Sequence, residues 1–184
     1  YAHKGGLALF RSAAALEKGA EEAHVLLEHG VETRVLGAAD VRTIEPALDA
    51  SVIGGVYFPP DAHVIPHEFV QQLARVVEAR GGIILRQTEV TRFERDGDRI
   101  TAVHTPAGKF EPREVVLASG AWSPNVARDL KLRLPIQPAK GYSITADMPA
   151  NAPATPLHLS EIKVVVTPMG NKLRFAGTLE LAGF

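Results

Sequence analysis

The sequence lacks cysteine, long apolar runs and an excess of one sign of charge, and each absence excludes a class of protein. Without cysteine there are no disulfides, no thiolate metal ligands and no cysteine nucleophile, which fits a reducing compartment. No apolar run approaches the roughly 18–20 residues of a membrane span. A formal net charge of −1 gives no field that would attract nucleic acid. The apolar fraction of 46% and charged fraction of 22% are those of a globular protein.

Metal and hydrolase chemistry also have little support. The chain has seven histidines, but their spacing does not predict a metal site. His24 and His29 are five residues apart on a polar helix face, so their side chains point in different directions. His63 and His67 lie on either side of Pro66, at the start of a helix. Neither a G-x-S-x-G motif nor a paired-carboxylate pattern is present, so we expect no metal centre and no hydrolase.

Hydrophobic periodicity and turn residues predict the secondary structure. Helices are predicted over 8–29, ending at Gly30, over 38–45, and over 67–80, which Gly81-Gly82 closes. Strands are predicted over 32–36, 52–58, 83–86, 89–95, 99–105, 109–111, 114–118, 140–147, 162–167 and 172–180, with turns at 96–98 and 170–171. Helices mixed with hairpins favour an α+β fold with a mixed or antiparallel sheet over a continuous doubly wound sheet.

The stretch from Arg113 to Pro124 is the first candidate for a binding site. It combines a predicted buried strand at 115–117, small residues at 118–121 and a helix that opens at 122–124. Small residues let a ligand approach the backbone, and free N–H groups at a helix start can bind an anion such as a dinucleotide phosphate. A tight strand-to-helix turn needs the same small residues for packing alone. Both interpretations are open from the residues.

Two further segments carry polar groups where a ligand could bind. Tyr57 and His63 lie around a loop between a strand and a helix, and loops on a rigid scaffold often carry binding groups. They are equally consistent with a half-buried strand aromatic and a surface loop residue. Lys140 precedes Gly141 at the start of a strand, where a cation and close backbone approach would suit an anionic ligand. A surface lysine beside a bulge glycine would look the same.

Taken together, these segments resemble the flavin-dependent D-amino acid oxidase superfamily, in its D-amino acid dehydrogenase branch. The similarity follows one order along nearly the whole chain. The segments KGYS (140–143) and GTLELAGF (177–184) separate this branch from glycine and sarcosine oxidases. The matching segments are LALFRS (7–12), IEPALD (44–49), GGVYFPPDAHVIP (54–66), the helix and Gly-Gly (67–82), VVLASGAWSP (115–124), LPIQPAKGYSIT (134–145) and KVVVTPMGNKLRFAGTLELAGF (163–184).

The resemblance implies how the chain is organised. Residues 1–82 and 134–184 would belong mainly to a substrate domain, and 83–133 mainly to an FAD-binding α/β domain. The G-x-G-x-x-G unit that seats the pyrophosphate is absent from the sequence. We expect that unit, a C-terminal portion and the carboxylate-binding arginine outside these residues.

The resemblance also implies site residues, while the catalytic residues stay unassigned. The FAD-contacting residues would be Val90, Ala118, Ser119, Gly120, Ala121 and Trp122, with the backbone of Val90 near the adenine and 118–122 along the pyrophosphate and ribityl chain. The substrate-side residues would be Tyr57, His63, Lys140, Gly141, Tyr142 and Pro168.

The implied reaction is oxidative deamination of a D-amino acid. The Cα hydrogen leaves as a hydride to the flavin, and the imino acid is hydrolysed to a 2-oxo acid and ammonia. Electrons would pass to a respiratory acceptor, which predicts a cytoplasmic protein that can lie at the inner face of the cell membrane. With an incomplete site, the chain is expected to carry no FAD and to be inactive by itself. The alternatives are a glycine- or sarcosine-type amine oxidase and a non-catalytic binding module of the same fold.

Overall fold

A seven-stranded mixed sheet forms the first of two units into which the chain divides. The computed structural model describes residues 2–183. Among these residues, the first unit comprises 2–73 and 141–179, and the second comprises 74–140 and 180–183. The elements are, in chain order, β1 (Gly6–Phe10), α1 (Ala13–Glu28), β2 (Arg34–Gly37), α2 (Ala38–Ile44), β3 (Gly54–Phe58), α3 (Pro66–Ala79), β4 (Arg92–Asp96), β5 (Arg99–Thr105), β6 (Gly108–Phe110), α4 (Ser123–Ala127), β7 (Lys140–Asp147), β8 (Leu157–Leu159), β9 (Val164–Met169) and β10 (Lys172–Glu180). The 3₁₀ turns Gly120–Trp122 and Arg128–Leu130 flank α4.

The large sheet has the strand order β2-β3-β1-β8-β9-β10-β7. β1 is antiparallel to β3 and parallel to β8, so the sheet is mixed at its centre. Side chains alternate between the two faces of a strand. On one face, Ala8 and Phe10 pack with Ala23 of α1. On the other face, Leu7 and Leu9 pack with Val41 of α2. We call these the α1 face and the α2 face.

Helix α1 is positioned by local contacts at both ends and by a close crossing in its middle. The side chain of Ser12 caps its start by accepting a hydrogen bond from the N–H of Ala15 (3.3 Å). Gly30 has a φ of +82° just beyond its end, a conformation that favours glycine. The ring of Phe10 lies directly against Gly19, where any side chain would collide with it. This close approach holds α1 over β1, β2 and β3.

The second unit contains the three-stranded antiparallel sheet β4-β5-β6. A polar cluster joins its three strands. Glu94 on β4 accepts a hydrogen bond from Nε2 of His104 on β5 (2.7 Å) and forms an ion pair with Nζ of Lys109 on β6 (2.9 Å). The Asp129 carboxylate also accepts a hydrogen bond from the N–H of Phe93 (2.8 Å), which ties the turn after α4 to this sheet.

The structure confirms the α+β fold with a mixed sheet and helices, and it corrects the predicted elements in three respects. The helix predicted over 8–29 was wrong at its start, because β1 occupies Gly6–Phe10 and α1 begins only at Ala13. Leu7 and Leu9 are buried on one face of that strand while Ala8 and Phe10 are buried on the other, and this two-sided burial imitates a helical pattern. The short strand β8 was missed, since Leu157–Leu159 gives only three residues of pattern.

The third correction concerns the strands predicted over 83–86 and 114–118. Neither segment is a strand in the described residues, and neither has a pairing partner there. Ile83 and Val116 are 85% and 88% exposed, so apolar sequence is present without a neighbour to bury it. A strand forms only when another strand satisfies its backbone groups. Apolar pattern alone therefore overpredicted sheet in the second unit.

None of the helices described between residues 2 and 183 has the length and apolarity to cross a bilayer. In the same residues, no group of three or more His, Asp or Glu side chains is arranged to hold a metal ion.

Candidate functional site

Tyr57 lies at the end of β3 on the α2 face of the large sheet. It pairs directly opposite Leu7 of β1. Its ring covers Gly5, where a Cβ would lie only 2.5 Å from Cε2 of the tyrosine. The hydroxyl donates a long hydrogen bond to the carbonyl of Lys4 (3.5 Å). The segment just before β1 therefore orients this tyrosine.

The backbone of His63 pairs with the backbone of Ala2. Its N–H donates to the carbonyl of Ala2 (3.0 Å), and the N–H of Ala2 donates back to the carbonyl of His63 (2.9 Å). Nδ1 is buried and has no hydrogen-bond partner among residues 2–183. Burial lowers the pKa of His63, the nearby carbonyl of Pro168 opposes that shift, and the charge of Lys4 adds to it. The ring is thus favoured in its neutral form.

Pro168 and Tyr57 share one face of the sheet. Pro168 lies opposite Leu173 in the β9–β10 pair, and Leu173 belongs to the cluster on the α2 face. The contact between His63 and the carbonyl of Pro168 links the loop after β3 to β9. The structure therefore brings together two of the predicted substrate-side residues, His63 and Pro168. Tyr57 lies on the same face of the sheet but on β3, and β1 and β8 separate β3 from β9.

The remaining substrate-side residues lie on β7, at the edge of the large sheet. β1, β8, β9 and β10 separate β7 from β3, so Gly141 and Tyr142 are not neighbours of Tyr57 in the sheet. Tyr142 is 52% exposed. Lys140 forms an ion pair with Glu180 (4.0 Å) in the second unit, and both side chains are close to half exposed. An exposed pair of this kind contributes little stability, which leaves the lysine available to an anion.

The predicted cofactor turn at 118–122 has an accessible backbone. Gly120 has a φ of +54°, and a Cβ there would meet no atom within 4 Å. The N–H groups of Ala118, Ser119 and Gly120 donate to no backbone acceptor among the described residues. Trp122 is 62% exposed and leads into α4, with Pro124 in its first turn. Small residues, open space and free donors fit a phosphate group laid along this turn.

Val90 lies immediately before β4, in the same unit as the turn. Its side chain is 37% exposed. The backbone of Val90 forms no hydrogen bond with another backbone group among the described residues, whereas the next residue, Thr91, donates from its N–H to the carbonyl of His104 (2.9 Å). The backbone of Val90 is therefore free to contact a flat ring edge, as the adenine assignment requires.

A groove of about 520 Å³ opens on the α1 face, away from these residues. One wall is α1, through Lys18, Glu22 and Leu26, and the floor includes Phe58 and Val165. None of the predicted site residues lines it. No sequence pattern predicts the groove, because residues 8–10 of β1 are predicted as helix.

Comparison with known proteins agrees with this geometry. The whole chain, residues 1–184, matches the DAO family of FAD dependent oxidoreductases. It is 38% identical over 98% of its length to the D-amino acid dehydrogenase of Paramagnetospirillum magneticum and 37% identical to that of Bradyrhizobium diazoefficiens, and it spans 44% of each of those proteins. The glycine oxidase structure from Geobacillus kaustophilus superposes on 99% of the chain with a TM-score of 0.89 at 23% identity, using 49% of that protein. The last likeness concerns the fold alone.

The fold, the open turn and these matches define the class: the chain belongs to the DAO family of FAD-dependent oxidoreductases. The relatives with which it shares more than a third of its residues are D-amino acid dehydrogenases.

Proposed function

We propose that these residues are part of a D-amino acid dehydrogenase that converts D-amino acids to 2-oxo acids and ammonia with bound FAD. The observation that carries this proposal is the identity of 33–38% with D-amino acid dehydrogenases over 98% of the chain. The chain spans less than half of each relative, so the activity is assigned to the longer protein.

In this proposal, the substrate-side residues and the FAD-contacting residues belong to two different domains. Residues 1–82 and 134–184 form mainly the substrate domain, and 83–133 mainly part of the FAD-binding domain. FAD supplies the acceptor for the hydride from Cα. Residues 118–122 would hold the pyrophosphate, with the N–H groups of Ala118, Ser119 and Gly120 available as donors, and the backbone of Val90 would contact the adenine. Both segments offer an open backbone in the structure, which supports this assignment.

On the substrate side, the residues bind and orient rather than exchange protons. Tyr57 and His63 contribute a rigid wall, since the first is packed on Gly5 and the second is anchored to Ala2. The neutral ring favoured at His63 suits a site that binds an amine in its neutral form. Lys140, with Gly141 and Tyr142, contributes a cation and an exposed strand edge. Pro168 completes the wall from β9.

The cofactor assignment is tested by a matched pair of glycines in the second unit. Gly120 and Gly97 have φ values of +54° and +57°, and an added Cβ meets no atom within 4 Å at either. Valine at each position should strain the backbone equally. In the longer protein, Gly120→Val should lower the flavin-to-protein ratio at least about tenfold (about 1.4 kcal/mol), whereas Gly97→Val should keep it. Equal flavin content in the two variants would remove 118–122 from the site.

Three finer parts of the proposal have their own measurements. The isolated 184-residue chain should elute without a flavin absorbance band, and a co-eluting band would contradict an incomplete FAD site. The longer protein should reduce a quinone or dye acceptor and not consume oxygen.

Sedimentation with inner-membrane vesicles should detect the protein at the cytoplasmic face. Oxygen consumption with glycine or sarcosine would instead identify an amine oxidase of the same fold.

A further inference from the structure

A small crevice opens where the parallel strands β1 and β8 end. After Phe10 the chain turns into α1, and after Leu159 it turns back into β9, so the two connections diverge. In open sheets, crevices outside the carboxyl ends of parallel strands are where ligands bind. The crevice has a volume of about 30 Å³, enough for a group about the size of one or two water molecules. It is lined by Leu9, Arg11, Val52, Leu159, Glu161 and Ile162.

The apolar walls of the crevice belong to the α2 face, which also carries Tyr57. Leu9 and Val52 are 2% and 4% exposed and belong to the core cluster on that face, and Leu159 packs against it. Tyr57 lies opposite Leu7. Leu9 is the next side chain on the same face of β1, about 7 Å further along the strand. The crevice therefore lies one row of side chains away from the proposed substrate-side tyrosine.

Arg11 is the cation of the crevice, and its backbone is held while its side chain is unpaired. The N–H groups of Arg11 and Ser12 both donate to Oε1 of Glu161 (2.7 and 3.2 Å). Among residues 2–183, the guanidinium of Arg11 forms neither a hydrogen bond nor an ion pair. Its planar fork of donors matches the two oxygens of a carboxylate.

The two acidic groups on which the charge of Arg11 acts are already bound to backbone donors. Glu161 accepts the two N–H groups at the start of α1, where the helix dipole also stabilises a negative charge. Asp49 accepts the N–H of Ser51 (2.8 Å). Neither carboxylate forms an ion pair with Arg11 in the described part of the chain, so the donors of the guanidinium are available to a ligand.

We propose that Arg11 selects amino acid substrates that carry a second carboxylate, in their side chain. The side-chain carboxylate of an acidic D-amino acid binds the guanidinium, and its methylene groups contact Leu9, Val52 and Leu159. The apolar walls strengthen this pair, because they screen it less than water does. The α-carboxylate is expected to bind an arginine outside these residues, which leaves Arg11 for the second acidic group. This inference rests on the proposed function, since the ligand is the substrate of that reaction.

Steady-state kinetics of the longer protein with D-glutamate and D-glutamine test the assignment, because the two substrates have the same shape and differ in charge. kcat/KM should be at least about tenfold higher for D-glutamate. Arg11→Met should remove that preference and leave kcat/KM for D-glutamine unchanged, and Arg11→Lys should restore part of it. Arg34→Met is the control and should keep the preference, since Arg34 is also exposed but pairs with Glu32 (2.6 Å) on the edge strand β2.

Three kinetic results would overturn the assignment. Equal kcat/KM for the two amino acids in the parent protein would mean that the crevice does not read the side-chain charge. A preference that survives in Arg11→Met would place its origin elsewhere. An equal loss for both substrates in Arg11→Met would mean that Arg11 binds the α-carboxylate, which every amino acid carries.

Binding without turnover separates this inference from the proposed function. Glutarate, a dicarboxylate without an amino group, should raise the melting temperature of the longer protein more than butyrate does, and Arg11→Met should abolish the difference. If D-amino acids are not oxidised but glutarate stabilises the protein through Arg11, the proposed reaction fails and the carboxylate site stands. If D-amino acids are oxidised but glutarate and butyrate act alike, the carboxylate site fails.

Discussion

The ring of Tyr57 rests on the bare backbone of Gly5, with Cε2 of the tyrosine only 2.5 Å from where a Cβ would stand. Gly5 also has a φ of +70°, so both its conformation and its missing side chain are required. Gly5 has no functional side chain, but it holds the ring of Tyr57, a proposed substrate-side residue, in place.

Replacing Gly5 by alanine should therefore destabilise the protein more than its backbone strain explains. Gly30 is the matched control, because its φ is +82° and a Cβ there would meet nothing within 4 Å. Gly30→Ala should cost about 1 kcal/mol of unfolding free energy from strain alone. Gly5→Ala should cost about 1–3 kcal/mol more, since Tyr57 must move. Urea denaturation of both variants measures the difference, and equal losses would show that the contact is not needed.

Replacing Gly19 by alanine should destabilise the protein, although alanine favours helix formation more than glycine does. Alanine in place of a mid-helix glycine usually stabilises a helix by about 1 kcal/mol. Here the new Cβ would run into the ring of Phe10, so Gly19→Ala should lower the melting temperature. Combining it with Phe10→Leu, which makes room, should yield a loss smaller than the sum of the two single losses. A stabilising Gly19→Ala would contradict the observed crossing of α1 over β1.

The cluster around Glu94 should make the second unit sensitive to acid. Hydrogen bonds from Lys109 and then His104 lower the pKa of Glu94 below its ordinary value of 4.5. A depressed carboxyl pKa contributes stability above about pH 4.5 that is lost as the pH falls through the folded-state value.

Glu94→Gln should accordingly be less stable than the parent at pH 7, and the difference should shrink as the pH drops below 4.5. Because the groups are exposed, salt should reduce the difference as well. Glu111→Gln is the control, since Glu111 also pairs with Lys109 (3.2 Å) but is 72% exposed. Thermal denaturation as a function of pH compares the two, and a difference that is constant with pH would exclude the mechanism.

His63 should affect stability in a different pH window. Its folded-state pKa is lowered by burial below the ordinary 6.5. The unfolded chain therefore binds a proton first, and stability should rise with pH from the lowered value up to about 6.5. His63→Gln should remove that slope, while His67→Gln, at an exposed position, should leave it intact. If both variants keep the parental slope between pH 5 and 7, the ring of His63 is not buried as described.

Local sequence signals predicted the parts of the fold that depend on local chemistry. The bounds of β5, β7 and β10, the D-G-D turn and the helix before Gly81 follow from hairpin residues and helical periodicity, and the structure confirms them. Residues 8–10 were misassigned because burial on both sides of a central strand hides its alternation. Residues 83–86 and 114–118 were misassigned because strand formation depends on a partner that local pattern does not contain.

The candidate site divides in the same way. The small residues of the turn at 118–121 identified an open backbone with free donors, and the structure has both. The contacts that fix Tyr57 and His63 could not be predicted, since they come from Lys4, Gly5 and Ala2, which are more than fifty residues away in sequence. Such long-range contacts depend on the register in which the strands pair, and the sequence of one segment does not determine that register.

The most direct test of the proposed function is anaerobic reduction of the flavin in the longer protein. The absorbance of bound FAD near its visible band is followed after mixing with single D-amino acids, their L-enantiomers, glycine and sarcosine. The proposal predicts bleaching by D-amino acids and none by the L-enantiomers. Bleaching by glycine or sarcosine but not by D-amino acids, or a protein that binds no flavin at all, would contradict it.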